Sequence, residues 1–491
     1  MDAGRYLAQL GSETIIYGIA GTLSRFIGIF LIPLYTRVFS PADYGIVAII
    51  TALLGLLNTF IVLGLDNSSA RWFYDSEDLQ ERKKVIGTWF WSQTVVGCLA
   101  ALVMLALAVP LARVFLSSEE NAGLVRLAAV LVPLSTFGKV VGNWLRYQRR
   151  PWMTAAFFTL SSLGTIGLVI LFVLVLDQGL AGLYRAQIAA GVLTALAAML
   201  ILQDWIRPHL TSRKILHEML QYGLPLVPAA IAAWITASAD RFILQLFRSP
   251  DEVGVYAIAA SLTTGITLVT TAFQMAWGPF ALSILKEQAA GLVYSKVFSL
   301  YALLGSLLGT AVSLFRHYLL AIFTTPDYYG AASSIPFLAS AFVVIGTTYI
   351  FSTGPAIVKR SMPVAASIFI GAGINTALNL LLIPAFGKDG AAVATLAAYS
   401  CAAVYLYSAS QRLYPIPYRP KVALVCFGFS WLLTGIDYLF LPAWGAPAFM
   451  LRIGMCALFI PLAFWQGLVR PVHVRNFWIK YTDRFLSEKV S

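Results

Sequence analysis

Long apolar stretches follow one another along almost the whole chain, and they constrain its fold more than any other feature. Fourteen of them approach the length of a membrane-spanning helix, which needs about 20 mostly apolar residues. They lie near residues 12–36, 43–65, 85–109, 122–145, 152–176, 181–204, 219–247, 254–283, 297–315, 331–355, 362–384, 389–411, 422–441 and 447–468. In lipid each backbone group must be satisfied internally, and these stretches are too long for barrel strands. The sequence therefore predicts an all-α polytopic membrane protein with 14 transmembrane helices.

The shortage of charge supports this fold class. Of the 491 residues only 11% are charged, whereas 59% are hydrophobic. A soluble domain has about 25% charged residues, which cover its water-facing surface. The loops are short, so neither a soluble catalytic domain nor a nucleic-acid partner is expected. The four cysteines and four histidines lack metal-ligand spacing, so neither a metal nor a cofactor is expected.

Lysine and arginine are distributed unequally between alternate connections, and this asymmetry predicts the orientation. The connections on the side of the N-terminus carry 23 of the 34 basic residues, the opposite connections carry 5, and 6 lie within spans. An error of one span would mix the two sets, so the asymmetry also supports the count. The segment Met1–Gly11 lacks the features of a signal peptide, so the first apolar stretch is predicted to remain as a span. Both termini are predicted to be cytoplasmic.

An internal repeat relates the two halves of the chain. The segments Ser40–Ala48 and Ser249–Ala257 share serine, proline, an acidic residue, glycine and alanine at an offset of 209 residues. A second match relates residues 149–156 to residues 359–366 at an offset of 210. In each copy of the first match, the Ser-Pro pair followed by an acidic residue is typical of a helix cap. Because the offset contains six helices, the two copies have the same topology, as in transporters built from parallel repeats.

This repeat predicts an N-lobe at residues 1–210, a C-lobe at 211–412, and a remainder at 413–491 with two further helices and a cytoplasmic tail. A substrate path would run between the lobes, which would rock to give alternating access. Prolines interrupt the first span of each lobe at Pro33, Pro225 and Pro228. They are either bends that let the lobes open or kinks that packing tolerates.

Ionisable side chains inside the spans are candidate site residues, since each costs about 2.5–3.5 kcal/mol on insertion scales. Arg25 lies near the middle of the first span, and Lys139 is comparably deep in the fourth. Nearer the span ends, where side chains can reach water, lie Arg126, Arg185, Asp240, Arg241 and Arg452.

The deep charges are cationic, which suits an anionic substrate such as a diphosphate. For Arg25 and Lys139 a structural ion pair is the alternative. Asp240 is expected to pair with another helix rather than with its neighbour Arg241. Gln274, in the eighth span, can bond either a sugar or an adjacent helix.

Four features together resemble one family. They are Arg25 leading into Arg37–Gly45, Ala239–Leu244 running into Gly254–Tyr256, the stretch Ala276–Phe280, and the layout of six, six and two helices. In these features the chain resembles the oligosaccharide (Wzx-type) flippases, in the polysaccharide-transporter branch of the multidrug/oligosaccharidyl-lipid/polysaccharide (MOP) exporter superfamily.

The resemblance implies two V-shaped lobes in a bacterial inner membrane. It implies transfer of an undecaprenyl-diphosphate-linked oligosaccharide repeat unit from the cytoplasmic to the periplasmic leaflet, for O-antigen, capsule or exopolysaccharide synthesis. The expected partners are this lipid-linked oligosaccharide, the bilayer and a polysaccharide polymerase or export machinery. A cationic cavity is implied with Arg25 as its main residue, and with Lys139, Arg126 and Arg241 as further candidates.

Three other functions remain open at this point. A lipid II flippase shares the architecture, but a denser set of arginines is expected in its first two spans. A cation-coupled multidrug antiporter of the same superfamily usually has twelve spans and a carboxylate in its N-lobe cavity. A membrane glycosyltransferase or polymerase would need catalytic carboxylates on a sizeable loop, and the longest predicted loops, 66–84 and 316–330, show only a solvated acidic run. The chain is therefore predicted not to be an enzyme.

Overall fold

The computed structural model describes residues 31–468, which form helices joined by short turns and contain no β-strand. The α-helices are α1 Ile32–Val38, α2 Pro41–Val62, α3 Leu65–Asp75, α4 Leu79–Ala106, α5 Ala108–Phe115, α6 Ala122–Tyr147, α7 Pro151–Val169, α8 Gly179–Leu202, α9 Arg213–Gly223, α10 Val227–Phe247, α11 Pro250–Ser283, α12 Ala290–Leu314, α13 Arg316–Phe323, α14 Ile335–Phe351, α15 Thr353–Ile357, α16 Met362–Leu413, α17 Pro420–Phe440, α18 Ala446–Ala457 and α19 Phe459–Trp465.

Twelve segments among the described residues are helical, long and apolar enough to cross a membrane. They match the predicted spans two to fourteen, because the predicted eleventh and twelfth spans form the single 52-residue helix α16. This helix is divided at Gly387, whose φ of 55° is not helical. The all-α, multi-pass membrane fold is therefore confirmed. Most of the predicted first span lies outside the described residues, so the total of fourteen and the orientation stay predictions.

Two segments that the sequence analysis treated as loops are largely helical. The second span bends at Leu63 and Gly64, both with positive φ, and continues as α3 to Asp75. The predicted loop 316–330 contains α13 and part of a 3-10 helix at Pro326–Ser333. Hydropathy failed here because both helices are short and mix polar with apolar residues, of which Leu65, Phe73 and Leu320 are buried.

The predicted prolines stand at helix starts rather than in helix interiors. Helix α9 ends at Gly223, a 3-10 turn containing Pro225 follows, and Pro228 lies in the first turn of α10. Pro33 occupies the same position in α1. Proline is tolerated there because the first backbone N–H groups of a helix have no intrahelical partner. The break in the predicted seventh span is thus observed, while a bending role stays a prediction.

Packing divides the helices into two groups. In the first half α6 packs against α4 and α8, and α7 packs against α8. In the second half α16 packs against α10 and α14, and α14 packs against α11 and α12. The halves meet where α2 lies against α10 and α11, and where α3 lies against α9.

The two copies of the repeated motif touch each other where α2 crosses α11. Ser40 and Ser249 cap these helices by accepting hydrogen bonds from the backbone N–H of Asp43 and Glu252, which confirms the predicted capping role. A Cβ atom at Gly45 would overlap the carbonyl oxygen of Pro250, and one at Gly254 would overlap that of Pro41. Only glycine allows this close approach of backbones.

The last two spans are fixed to α13 by a buried ionic cluster. Both carboxylate oxygens of Asp437 accept hydrogen bonds, one from Arg316 and one from Arg452, each at 2.6 Å. Arg452 also donates to the carbonyl oxygens of Pro442 and Ala443. The expectation that Arg452 could reach water is therefore wrong, since its side chain is 1% exposed. Asp437, on the preceding helix, supplies a counter-charge inside the protein.

His317 lies outside the spans and beside this cluster, and it makes the stability of the fold depend on pH. Burial and the positive charges of Arg316 and Arg452 hold the pKa of His317 below its usual value, against the opposing effect of Asp437. The unfolded chain therefore binds a proton at higher pH than the folded one, and stability falls as pH drops through about 6.5. When the pH is lowered from about 7.5 to about 5.5, we expect His317→Gln to lose less Tm than the wild-type protein in thermal unfolding in detergent. An equal loss in both proteins would refute this account.

Candidate functional site: cavities at and beside the interface of the two halves

The residues predicted to bind substrate are not gathered at one place. Arg25 lies outside the described residues. Lys139 and Arg126 are both on α6, but they are 13 positions apart, which corresponds to about 20 Å along a helix. Arg241 and Gln274 line two different cavities in or near the second half.

Lys139 belongs to a polar cluster at the bend between α2 and α3. Its half-buried Nζ donates a hydrogen bond of 2.6 Å to Oδ1 of Asn58. Nearby, Oδ1 of Asp66 accepts hydrogen bonds from Trp89 at 3.2 Å and from Gln93 at 2.8 Å. The deep ammonium is therefore held by a neutral amide, with a carboxylate in the same cluster. Arg126, by contrast, is exposed on the face of α6 that also carries exposed Val130.

Arg241 lines a cavity of about 280 Å³ at the interface of the two halves. Helices α2, α10 and α11 form its walls, and its polar lining residues are Tyr44, Thr51, Ser238, Arg241 and Ser261. Arg241 is the only charged residue among them. Its guanidinium donates to the carbonyl oxygen of Ala237 at 3.0 Å and lies 3.7 Å from Asp240. The site can therefore present one cation to an anionic group.

Asp240 faces away from that cavity into a buried polar network. Its carboxylate accepts a short hydrogen bond from the hydroxyl of Tyr256 on α11, as the prediction of a partner on another helix required. It also lies 3.7 Å from the guanidinium of Arg241, so the prediction that it would not pair with this neighbour is wrong. Next to Tyr256, Thr395 contacts Asn375, and Asn375 in turn accepts a hydrogen bond of 2.9 Å from Asn379. All five side chains are buried. The network holds one carboxylate among neutral hydroxyls and amides.

Gln274 lines a larger cavity of about 400 Å³ inside the second half. Its walls come from α10, α11, α14 and α16. The polar lining residues are Thr236, Gln274, Thr348, Tyr349, Ser352, Ser367 and Tyr399. None of the lining residues within the described part of the chain is charged. The prediction placed Gln274 in a cationic cavity, whereas this cavity is neutral.

The sequence analysis missed most of these polar residues. Serine, threonine and tyrosine are common in apolar spans, where they bond their own helix, so composition does not separate cavity residues from packing residues. Helical spacing was the available signal. Asn375 and Asn379 are four residues apart inside an apolar stretch, and Thr348 and Ser352 have the same spacing.

The two halves are in contact at both ends of their interface. At one end lies the crossing of Gly45 and Gly254. At the other end a Cβ atom at Gly64 would overlap the carbonyl oxygen of Gly223. There Ser68 on α3 also donates a hydrogen bond of 2.8 Å to the carbonyl oxygen of Met219 on α9. The interface cavity therefore lies between two zones of close contact.

Comparison of sequences relates the chain to proteins of polysaccharide synthesis. A family model described as "Polysaccharide biosynthesis protein" matches residues 10–285. The succinoglycan biosynthesis transport protein ExoT of Rhizobium meliloti (strain 1021) is 22% identical over 228 residues, which cover 46% of this chain and 44% of that protein. The uncharacterized membrane protein MJ1068 of Methanocaldococcus jannaschii is 27% identical over 198 residues, 38% of each chain. The match thus spans less than half the length of these curated relatives.

Comparison of structures places the fold among known transporters. The lipid II flippase MurJ, in an inward closed conformation, superposes with a TM-score of 0.74 at 14% identity, over 93% of this chain and 100% of that chain. An inward-facing multidrug resistance MATE family transporter of the MOP superfamily superposes with a TM-score of 0.65 at 17% identity, over 81% of this chain and 94% of that one. At these identities the fold alone is shared.

Proposed function

Since the chain belongs to the polysaccharide biosynthesis protein family, we propose that it is a flippase for polyprenyl-diphosphate-linked oligosaccharides. The family resemblance read from the motifs is confirmed, and the fold is that of membrane transporters and flippases rather than enzymes. The proposed reaction moves the lipid-linked unit from the cytoplasmic to the periplasmic leaflet, as a step in O-antigen, capsule or exopolysaccharide synthesis.

The position of Arg241 carries this proposal. Among residues 31–468, it is the only charged one that lines the cavity between α2 of the first half and α10 and α11 of the second. A substrate path between two repeats would pass here. A guanidinium in a partly dehydrated site binds phosphate oxygens with paired hydrogen bonds, so the cavity suits a diphosphate. The substrate cations proposed from the sequence, Arg25, Lys139 and Arg126, would belong to other stages of the path.

The finer topology is part of the same proposal. It comprises fourteen spans in a bacterial inner membrane, both termini in the cytoplasm, an N-lobe at 1–210, a C-lobe at 211–412, and the remainder at 413–491. Alternating access would separate the halves at one end of their interface while the other end stays closed. The two zones of backbone contact, at Gly45 with Gly254 and at Gly64 with Gly223, support this mechanism.

One observation favours a second function, cation-coupled multidrug antiport. Asp240 is a buried carboxylate in a network of neutral groups, and such a group can take up a proton or bind a cation. Its short hydrogen bond to Tyr256 and the nearby charge of Arg241 argue instead for a structural or substrate-side role. The host phenotype separates the two functions.

The test is to delete the gene in its host and analyse membrane lipid extracts by mass spectrometry. Complete, unpolymerised polyprenyl-diphosphate oligosaccharides are expected to accumulate. The wild-type gene should abolish this accumulation. Arg241→Gln should lower the flipping rate at least about tenfold, because a hydrogen bond to a charged group contributes about 1.5–3 kcal/mol.

Arg185→Gln is the matched control, because this exposed arginine lies within a span but only donates a hydrogen bond to Gln178. It should complement as well as the wild-type gene does. A deletion strain without the lipid build-up, but with altered tolerance to cationic dyes, would reject the flippase and favour the antiporter.

A further inference from the structure

The 400 Å³ cavity of the second half has the chemistry of a binding site for a neutral, hydroxyl-rich ring. Its volume lies within the range of about 300–1,000 Å³ that is usual for small-molecule sites. Seven of its fourteen lining residues carry a hydroxyl or an amide, and the rest are apolar or glycine. Because none of the described lining residues is charged, an ionic group would find no counter-charge in this lining. The lining therefore excludes the diphosphate and favours an uncharged polar ligand.

Most of the small hydroxyls in this lining can act only as acceptors toward a ligand. Thr236, Thr348, Ser352 and Ser367 each donate their proton to a backbone carbonyl oxygen three or four residues earlier, at distances between 2.6 and 3.0 Å. The lone pairs of these oxygens remain available. A ligand whose own hydroxyls donate hydrogen bonds would satisfy them.

Two further side chains supply donors. Gln274 and Tyr399 line the cavity, and neither makes a hydrogen bond to another residue in the range 31–468. The amide of Gln274 has two N–H groups and a carbonyl oxygen, and the phenol of Tyr399 has one O–H. The cavity thus combines acceptors from small hydroxyls with donors from these two residues, which matches the mixed donors and acceptors of a sugar ring.

This cavity borders the helix that carries Arg241. Thr236 on α10 lines the neutral cavity, whereas Ala237, Ser238 and Arg241 line the interface cavity. Arg241 is five positions after Thr236, which corresponds to about 7.5 Å along the helix. A diphosphate beside Arg241 would therefore lie within a short axial distance of a sugar in the neutral cavity, on an adjacent face of the same helix.

We propose that the neutral cavity binds an uncharged sugar ring of the lipid-linked substrate, with Gln274 and Tyr399 as its hydrogen-bonding residues. This inference rests on the proposed flippase function and specifies its substrate: the sugar nearest the diphosphate is neutral, such as a hexose, rather than a uronic acid. Different residues would then select the sugar and bind the diphosphate.

The test uses the purified full chain in detergent and three probes: farnesyl diphosphate, the same lipid carrying glucose, and the same lipid carrying glucuronic acid. The wild-type protein should bind the glucose probe about tenfold more tightly than the sugar-free probe, and more tightly than the glucuronic acid probe. Tyr399→Phe and Gln274→Leu should each weaken binding of the glucose probe about 2- to 10-fold and leave binding of the sugar-free probe unchanged.

Tyr405→Phe, on the same helix α16 but outside the cavity lining, is the matched control and should bind like the wild-type protein. Equal affinity of the wild-type protein for the glucose and sugar-free probes would overturn the sugar site and leave the flippase intact. So would equal affinity for the glucose and glucuronic acid probes. If the sugar-free probe does not bind the wild-type protein, or binds Arg241→Gln as tightly as the wild-type protein, both the diphosphate site and the sugar site are refuted.

Discussion

Replacing Asp437 with asparagine is expected to lower the free energy of unfolding by about 3–5 kcal/mol. The side chains of Arg316, Asp437 and Arg452 are at most 5% exposed, and each arginine bonds the shared carboxylate at 2.6 Å. The variant would leave two guanidinium groups buried without a counter-charge. Thermal unfolding of the purified protein in detergent, followed by tryptophan fluorescence, measures the effect as a loss of Tm.

The exposed pair of Asp204 and Arg207 is the matched control. It has the same N–O distance of 2.6 Å, but its side chains are 57% and 58% exposed. Water screens such a pair, so Asp204→Asn should change the stability by less than about 1 kcal/mol. Equal Tm values for Asp437→Asn and Asp204→Asn would show that the buried cluster does not fix the last two spans.

Replacing Gly254 with alanine is expected to open the interface at the crossing of α2 and α11. The added Cβ would overlap the carbonyl oxygen of Pro41 and lie 3.0 Å from the backbone nitrogen of Gly45. These are backbone atoms, so the helices must move apart. Overpacking costs about 1–3 kcal/mol, and this energy shifts a two-state equilibrium by about 5- to 150-fold.

Thr51 lines the interface cavity, so the variant Thr51→Cys can report this opening. It is made in a protein whose four native cysteines have been replaced. In the proposed orientation this crossing is at the periplasmic end, so labelling by a membrane-impermeant thiol reagent added on that side should become at least about fivefold faster in Gly254→Ala. Gly265→Ala is the control, because a Cβ there meets no atom within 4 Å. Equal labelling rates in both variants would contradict a closed contact at this crossing.

The cavity residues show where sequence reasoning was limited. Arg241 and Gln274 were selected as polar residues in apolar spans, and each of them lines a cavity. They were assigned to one cationic cavity, but side chains 33 residues apart lie on different helices, and only packing decides whether they face the same space. Tyr399 was not selected because a tyrosine in a span is as common in packing as in binding.

The sequence by itself determined the helical membrane fold, the approximate positions of spans two to fourteen and the family. These follow from local physical rules, since lipid forces each span to satisfy its own backbone and the repeated Ser-Pro motif caps each helix locally. Tertiary structure alone decided that Gly45 meets Gly254, that Asp437 neutralises Arg452, and that Arg241 and Gln274 lie in separate cavities. Each of these contacts joins different helices, and the rotation and distance between helices depend on all their packed side chains together.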